Sequence, residues 1–406
     1  ISLIGSYNEL YLLYMMYKNK TSIYCFIVAL LVMHYMIGKI PSIPNVVMGG
    51  VFIFTISLVW QQKNIVLDKF YFAFLLYLPF TIISAMPDPV FRSWERLGLF
   101  VLLYLVASPV LQSEYIRMLR RKMLFYIIFI CVILSIGSFI GYFLGINFCT
   151  INLKEVTDYQ GVAGHFSGLT KQSMYLGPIS GISAIYFLDK FLFKKKILYL
   201  LLLIGCLGSL LFASSRGAFG ATLIGCLSIL FLHSQSKLLF LKKVFIIGLV
   251  LLLSFPFWKF ATEALQNKQE IHRNKTEMFD SRTGKVEARF FEFSTHPLLG
   301  VGFSAILPNG NDSYNKITGT IEPGSSWLGI LSMTGVIGFV LFCIILGRAY
   351  RGVLLATDDF YLIGLLIFYC IHMFIEGYVF AAGNPISFIL WLIMGVSYDK
   401  KFSLKY

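Results

Sequence analysis

Apolar runs long enough to cross a membrane most constrain how this chain can fold. About 20 mostly apolar residues span the hydrocarbon core of a bilayer as one helix. Hydrophobic residues make up 57% of the chain and charged residues 13%, less polar surface than a soluble protein needs. We therefore predict an all-α polytopic membrane protein with one transmembrane domain over residues 1–406. About twelve transmembrane helices are predicted, near 22–38, 45–60, 69–86, 97–112, 123–147, 173–189, 197–213, 218–233, 244–258, 325–346, 360–379 and 385–398.

Lysine and arginine indicate how these helices are oriented, because short cytoplasmic loops are enriched in both. With both termini in the cytoplasm, the basic clusters fall into alternate short segments, as the rule requires. The inside clusters lie near 18–20, 63–69, 117–122, 190–196, 237–243, 348–351 and 400–405. The net charge of +14 is thus typical of membrane anchoring, and we expect no nucleic-acid partner. The seven cysteines have no paired spacing, so neither a disulfide framework nor a zinc site is indicated.

One long polar stretch, 259–323, separates predicted helices nine and ten and lies outside. Long loops in compact proteins are usually functional or disordered. The aromatic residues of this loop favour an ordered, partly helical cap over an active site. Its second half predicts a helix that ends before Pro297. Arg282 and Arg289 are seven residues apart and share a face of this helix, about 10 Å from each other.

Arg216 is a charge between two apolar runs, 197–211 and 222–232. A charged residue at the centre of a membrane helix costs roughly 2.5–3.5 kcal/mol on insertion scales. The predicted orientation places Arg216 outside, so it is not a cytoplasmic anchor. Together with Arg282 and Arg289 it suggests a site for an anionic group, because the planar guanidinium matches phosphate oxygens.

A simpler alternative for the loop arginines remains open. Arg282 and Arg289 are also compatible with a solvated helix face. They could equally pair with a nearby acid such as Glu287 or Glu292.

Four short motifs occur in order around the long loop. They are GHFSGLTKQSMYLG (164–177), SSRGA, SRTGKVEARFFEFSTHPLLGVGF and EPGSSWLGILSMTGVIGF. Their order and spacing resemble the O-antigen ligase/polymerase superfamily, and most resemble a Wzy-type polymerase of surface polysaccharide. The motifs cover roughly 160–345, and the predicted topology extends the resemblance to the whole chain.

The resemblance implies a GT-C-like membrane glycosyltransferase in the bacterial cytoplasmic (inner) membrane, with its active site facing the periplasm or outside. It would polymerise undecaprenyl-pyrophosphate-linked repeat units into O-antigen or a related polysaccharide. The implied partners are the lipid-linked glycan donor and acceptor, membrane lipids, a chain-length regulator and a flippase. No cofactor and no metal are expected, because arginines can stabilise the charge that develops on a pyrophosphate leaving group.

Specific residues carry over from the family motifs. Arg216 matches the arginine of the S-R-G segment and Arg282 a basic residue early in the loop. Arg289 and Gly300 match an R-x10-G pattern, and all three arginines are expected to bind the pyrophosphate. The remaining motif residues are expected to contact the glycan, namely Lys171, Ser325, Ser326 and Trp327.

The general base is where the sequence departs from the ligases. Their motif carries a histidine, then Asn, Ser or Gln, and G-x-x-G after nine further residues. Aligned on Gly335 and Gly338, this chain has Gly324 at the histidine position. The catalytic candidates that remain are Glu322, His296 and Glu376, with Glu292 as a further acid of the loop. Each could instead be structural: an exposed loop acid, a helix-end residue or an ion-pair partner.

Three functions are compatible with the sequence. The missing histidine favours a polymerase over a ligase that transfers to a lipid or protein acceptor. A transporter or flippase of polysaccharide intermediates would also suit twelve helices. The chain shows no internal repeat, and its polar residues gather in one external loop, which favours an enzyme.

Overall fold

The computed structural model describes residues 20–41, 43–62, 65–84, 93–148, 166–234, 236–253, 277–307, 314–315, 320–321, 324–355 and 359–405. This part of the chain is almost entirely α-helical, as predicted. The helices are α1 Lys20–Met36, α2 Asn45–Trp60, α3 Lys69–Ile83, α4 Ser93–Ala107, α5 Glu114–Phe143, α6 Ser173–Lys194, α7 Ile197–Phe212, α8 Arg216–Leu232, α9 Lys237–Leu253, α10 Glu277–Thr295, α11 Ser326–Leu354, α12 Phe360–His372 and α13 Pro385–Asp399.

Two small two-stranded sheets and a 3-10 helix complete the described elements. Strand β1 (Val66–Leu67) pairs antiparallel with β2 (Leu111–Gln112). Strand β3 (Tyr314–Asn315) pairs antiparallel with β4 (Thr320–Ile321). A 3-10 helix over Lys400–Lys405 follows α13.

Three described helices, α5, α6 and α11, are long and apolar enough to cross a membrane. Several other apolar helices of the described chain have 10–17 residues, short of a full bilayer span. The apolar helices thus indicate a membrane protein, while the number of twelve spans stays a prediction.

Glycines bring α6, α8 and α12 into close contact. A Cβ added to Gly177 of α6 would lie 2.7 Å from the Cβ of Ser215, which precedes α8. A Cβ added to Gly217 of α8 would lie 3.1 Å from a side-chain carbon of Ile375, which follows α12. Small residues allow such close helix packing in membranes. The first residues of α6 and α8 therefore lie at the same end of the bundle as the last residues of α12.

The start of α11 lies at this end too. The backbone N–H of Ser326 donates to the carbonyl of Met373 at 2.8 Å, just beyond the end of α12. Helix α3 runs antiparallel to α11, since the Tyr77 hydroxyl reaches Thr334 O at 2.8 Å and the Tyr71 hydroxyl reaches Ile345 O at 2.7 Å. We call the end that contains the first residues of α6, α8 and α11 the motif end, and the opposite end the basal end.

Helix α11 is interrupted at Gly335, where the predicted helix was continuous. Gly335 has φ 64° and ψ −171°, and a Cβ added there would overlap the carbonyl group of Leu298. The Val301 N–H donates to Ser332 O at 2.8 Å, and the Val336 N–H donates to Pro297 O at 2.9 Å. The segment 297–302 thus fills the break and satisfies backbone groups that a continuous helix would have paired.

Helix α5 begins earlier than the predicted boundary at 123. The Ser113 side chain caps it by accepting the Ile116 N–H at 3.3 Å. The basic segment 117–122 is therefore helical, and Arg120 is buried in it rather than exposed as a cytoplasmic anchor. Arg120 pairs with Asp399 at 2.9 Å, a partner that charge counting along the chain does not reveal.

Candidate functional site

A buried ion pair on α10 is the centre of the candidate site. The helix predicted to end before Pro297 is confirmed, since α10 ends at Thr295 and packs against α11. Arg289 is 1% exposed and Glu292 is fully buried. Residues three apart on a helix are neighbours, and Nη1 of Arg289 lies 2.8 Å from Oε2 of Glu292. The predicted alternative of an Arg289–Glu292 pair is therefore correct.

This pair leaves much of the guanidinium unused. Nη1 of Arg289 also approaches the Ser332 hydroxyl at 3.5 Å, while Glu292 Oε1 accepts the Leu307 N–H at 3.1 Å. Within the described chain, Nε and Nη2 of Arg289 have no hydrogen-bond partner. A buried donor without a partner costs about 1–3 kcal/mol, and more when it is charged. Oε2 of Glu292 also has no hydrogen bond in the described chain, and the two unused nitrogens of Arg289 are donors that an anion could satisfy.

Burial has opposite effects on the two ionisable groups. It lowers the pKa of Arg289, and the carboxylate of Glu292 opposes that shift. It raises the pKa of Glu292, and the guanidinium of Arg289 opposes that shift. Arginine nevertheless keeps its charge in proteins, so Arg289 remains a cation in this site.

Two glycines of the family motifs hold α10 against α11. Gly300 has φ 74°, and a Cβ added there would overlap the backbone of Met333 and Thr334. Gly335 faces the backbone of Leu298 and Leu299 in the same way. The R-x10-G and G-x-x-G patterns therefore meet in one backbone contact, which fixes Arg289 beside the hydroxyl of Ser332.

Arg216 is the first residue of α8 and is exposed at the motif end. The Ser215 side chain does not cap the helix, and no ion pair or hydrogen bond of the Arg216 guanidinium occurs among the described residues. A helix N-terminus presents unpaired N–H groups and a partial positive charge. A cation there opposes the helix dipole, and a bound anion would interact favourably with both.

The serines and tryptophan that open α11 use their polar groups within the fold. Ser325 Oγ donates to Met373 O at 3.1 Å, and Ser326 Oγ donates to Glu376 O at 2.7 Å. The Trp327 indole donates to Cys370 O at 2.9 Å. These bonds join the start of α11 to the last turn of α12 and to the residues that follow it. A glycan-binding role for Ser325, Ser326 and Trp327 stays a prediction.

The structure also places the remaining candidates. Glu376 lies in the turn after α12, not on the helix as predicted, because α12 ends at His372; the residue is half-buried. His296 follows α10, with Nδ1 3.0 Å from Thr295 Oγ1. Lys171 precedes α6, with Nζ 5.1 Å from the Tyr35 ring centre.

Two of the predicted site residues are not fully described. Arg282 lies on α10 two turns before Arg289, and its side chain lies outside the described residues. Glu322 also lies outside them. The part of the chain that is described contains no cluster of three or more His, Cys, Asp or Glu side chains suited to a metal ion.

The comparison with known families centres on this region. Residues 199–343 match the family model described as O-Antigen ligase. The match confirms the resemblance to the O-antigen ligase/polymerase superfamily. It includes Arg216, α10 with its ion pair, and the glycine contact between Gly300 and Gly335. No curated protein matches the chain.

Gly324, at the family's histidine position, has a backbone suited to glycine. Its φ is 75°, a left-handed conformation that side chains other than glycine rarely adopt. A Cβ added there would lie 3.2 Å from the Cβ of Lys285 on α10. A histidine would therefore be strained as well as crowded. The backbone conformation at Gly324 therefore favours glycine over the histidine of the O-antigen ligase pattern.

Sequence reasoning missed two polar groups near the site. Ser332 lies beside Arg289 only because the 297–302 segment fills the α11 break, and no local pattern marks it. Ser304 accepts a hydrogen bond from Nη1 of Arg96 at 3.3 Å. Ser304 lies in the loop after α10, far from Arg96 in the sequence, and no local pattern marks this contact.

Proposed function

We propose that this protein is a membrane glycosyltransferase that moves a glycan from a lipid-linked pyrophosphate to a sugar hydroxyl. The observation that carries the proposal is the buried Arg289, whose Nε and Nη2 have no partner among the described residues. Guanidinium donors suit the oxygens of phosphate groups. The superfamily match supports the same class of substrate.

The proposed reaction breaks the bond between the anomeric carbon and a pyrophosphate oxygen. Negative charge grows on that oxygen, and preorganised cations stabilise it most where water is excluded. Arg289 supplies the buried donors, Glu292 holds its guanidinium in place, and Arg216 adds the exposed charge at the start of α8. Arg282 is the third proposed pyrophosphate ligand.

The acceptor hydroxyl forms the new glycosidic bond and loses its proton. A general base must lie within hydrogen-bond reach of that hydroxyl. Glu376 is our preferred base among Glu376, His296 and Glu322, because its turn bonds directly to the start of α11 at the motif end. Since the arginines stabilise the leaving group, the proposed mechanism requires no metal or cofactor.

Both a polymerase and a ligase are consistent with this chemistry. The left-handed backbone of Gly324, which disfavours a histidine there, supports a polymerase, which would transfer a growing glycan to another lipid-linked repeat unit. The description of the matching family supports a ligase, which would transfer it to a lipid or protein acceptor. We place the reaction at the outer face of the bacterial cytoplasmic membrane, with undecaprenyl pyrophosphate as the carrier.

Purified protein incubated with lipid-linked repeat units tests the proposal. A polymerase is expected to produce a ladder of lengths, and a ligase a single transfer once a lipid or protein acceptor is added. Arg289→Gln should remove either product, while Arg351→Gln, an exposed arginine at the basal end, should leave it unchanged. Product formed equally by Arg289→Gln would contradict the pyrophosphate assignment, and a requirement for metal after EDTA treatment would contradict the arginine mechanism.

The transporter alternative needs its own measurement. In liposomes, the proposed enzyme should lengthen or transfer the glycan without carrying the lipid-linked unit across the bilayer. Transbilayer movement without any new glycosidic bond would favour a flippase instead.

A further inference from the structure

A cavity of about 610 Å³ opens at the basal end, away from the candidate site. Strand β1, the start of α5, Arg348 of α11 and the residues at the end of the chain line it. Arg348 lies about 18 Å beyond Val336 along the second part of α11, at 1.5 Å per residue, and Ser332 lies on the other side of the break at Gly335. We call this cavity the basal pocket. It is too far from Arg289 to belong to the same site.

Two cations of the basal pocket lie against aromatic rings. Nζ of Lys401 lies 3.5 Å from the ring centre of Tyr398 and 4.7 Å from that of Phe402. The guanidinium of Arg117 lies 4.4 Å from the Phe402 ring centre. Cation–π contacts orient a charge without neutralising it. Arg117 and Lys401 therefore keep their charge available to a ligand in the pocket.

A third cation, Arg348, also lies near the Tyr398 ring. The guanidinium carbon of Arg348 lies 5.4 Å from the Tyr398 ring centre and 4.5 Å from that of Phe70. Nη2 of Arg348 pairs with Asp68 at 2.7 Å, whereas its Nε is buried without a hydrogen-bond partner in the described chain. One arginine donor thus remains to be satisfied at this pocket.

Positive charge exceeds negative charge in the lining. Lys69 also faces the pocket, and the acids there are Asp68 and the exposed Glu114. Hydrogen bonds from Tyr398 and Arg348 outweigh burial and hold the pKa of Asp68 below its ordinary value. The Asp68 carboxylate is therefore bonded within the protein. Burial and the neighbouring Arg348 lower the pKa of Lys401, as expected where cations are crowded.

The rim of the pocket is apolar. Val66 is 63% exposed, Leu67 45% and Phe70 43%. An apolar rim beside a basic interior matches a lipid, whose phosphate and acyl chains differ in the same way. Basic pockets at the cytoplasmic side of membrane helices recognise anionic headgroups. The charge distribution of the sequence predicts that the basal end faces the cytoplasm.

We propose that the basal pocket binds a phosphate-bearing headgroup, supplied by an anionic phospholipid of the membrane. The phosphate would lie among Arg117, Arg348 and Lys401, with Lys69 adding a fourth positive charge from the lining and the acyl chains along the rim. This site is independent of the proposed glycosyl transfer. Its ligand would tie the end of the chain to β1 and to α5.

Native mass spectrometry of the full-length protein in detergent tests the proposal, with phosphatidylglycerol as the anionic probe and phosphatidylcholine as the neutral one. We expect phosphatidylglycerol to bind more tightly, and Arg117→Gln and Lys69→Gln each to weaken it about fivefold. The matched control is Arg121→Gln, which removes the same charge one turn later on α5 from an exposed position. The control should stay within about twofold of the unsubstituted protein.

A second arm uses glycerol 3-phosphate to distinguish a lipid from a soluble phosphate. Preference for phosphatidylglycerol, with loss in both pocket variants, supports the lipid source. Equal binding of glycerol 3-phosphate with the same loss supports the phosphate site but assigns it to a soluble ligand. Equal phosphatidylglycerol binding by Arg117→Gln, Lys69→Gln and Arg121→Gln would overturn the proposal.

Discussion

Two arginines of this protein are equally buried and differ in what surrounds them. Arg120 of α5 is fully buried, and each of its three nitrogens donates to a partner. Nε and Nη2 bind the two oxygens of Asp399, at 2.9 and 3.0 Å, and Nη1 binds Ser108 O at 2.7 Å. Arg289 of α10 has one carboxylate contact and two nitrogens without a hydrogen bond in the described chain.

The difference separates a structural arginine from a candidate ligand-binding one. A bidentate pair with further carbonyl acceptors satisfies a buried guanidinium, so Arg120 leaves nothing for a ligand. Arg289 is held by Glu292 but remains incompletely satisfied, which the fold tolerates only at a free-energy cost. Burial alone therefore does not identify a site; the unused donors do.

Matched substitutions should separate the two roles, and the largest effect is expected at Arg120. Arg120→Gln leaves the carboxylate of Asp399 buried without its cation, and breaking such a pair costs about 3–5 kcal/mol. We expect a large fall in the midpoint of thermal unfolding in detergent. Asp399→Asn in the same background should recover part of the loss. An unchanged unfolding midpoint in Arg120→Gln would contradict the structural role that we assign to Arg120.

Arg289→Gln should instead affect the reaction. Losing one preorganised donor to developing negative charge typically costs about 100- to 1000-fold in rate. The stability loss should be smaller than for Arg120→Gln, because this substitution also removes two buried donors that have no hydrogen-bond partner in the described chain. Rates of glycan transfer and unfolding midpoints should be measured on the same preparations.

Arg289→Lys sharpens this measurement. Lysine keeps a positive charge but loses the planar fork that binds two oxygens. An intermediate rate is therefore expected. A rate as low as that of Arg289→Gln would point to the shape of the guanidinium, and an unchanged rate would mean that charge alone suffices.

Local patterns predicted much of the helical fold. The apolar runs indicated the helices, Arg216 was expected beside a helix end, and Pro297 marked the end of α10. These features depend on neighbouring residues, which a sequence displays directly. Short lengths were already apparent in predicted ranges such as 45–60 and 197–213, which agree closely with α2 and α7.

Contacts between distant segments explain what the sequence could not reveal. Arg120 looked like a cytoplasmic anchor because Asp399 is 279 residues away. The glycines of two motifs were identified, but not the contact of Gly335 with Leu298, which depends on the break in α11. For the site, the pairing of Arg289 with Glu292 was one of the alternatives that the sequence left open, whereas its unused donors required coordinates.

Arg216 offers an exposed counterpart to the buried pair. An exposed charge shares its ligand with water, so Arg216→Gln should weaken donor use by about tenfold, less than Arg289→Gln. Stability should not fall, because a cation at the start of a helix opposes its dipole. The measurement is the donor concentration at half-maximal rate. A loss as large as that for Arg289→Gln would mean that Arg216 is desolvated when the donor binds.

Ser332 should show the smallest effect, although it touches Arg289. Its hydroxyl lies 3.5 Å from Nη1 of Arg289, at the outer limit of a hydrogen bond, and such a contact contributes little. The backbone carbonyl of Ser332, which accepts the Val301 N–H and helps to fill the α11 break, is unchanged in Ser332→Ala. We therefore expect about a twofold loss of rate, corresponding to about 0.5 kcal/mol. A loss beyond tenfold would place the hydroxyl in contact with the substrate, and the unsatisfied donors of Arg289 would then be only part of the binding site.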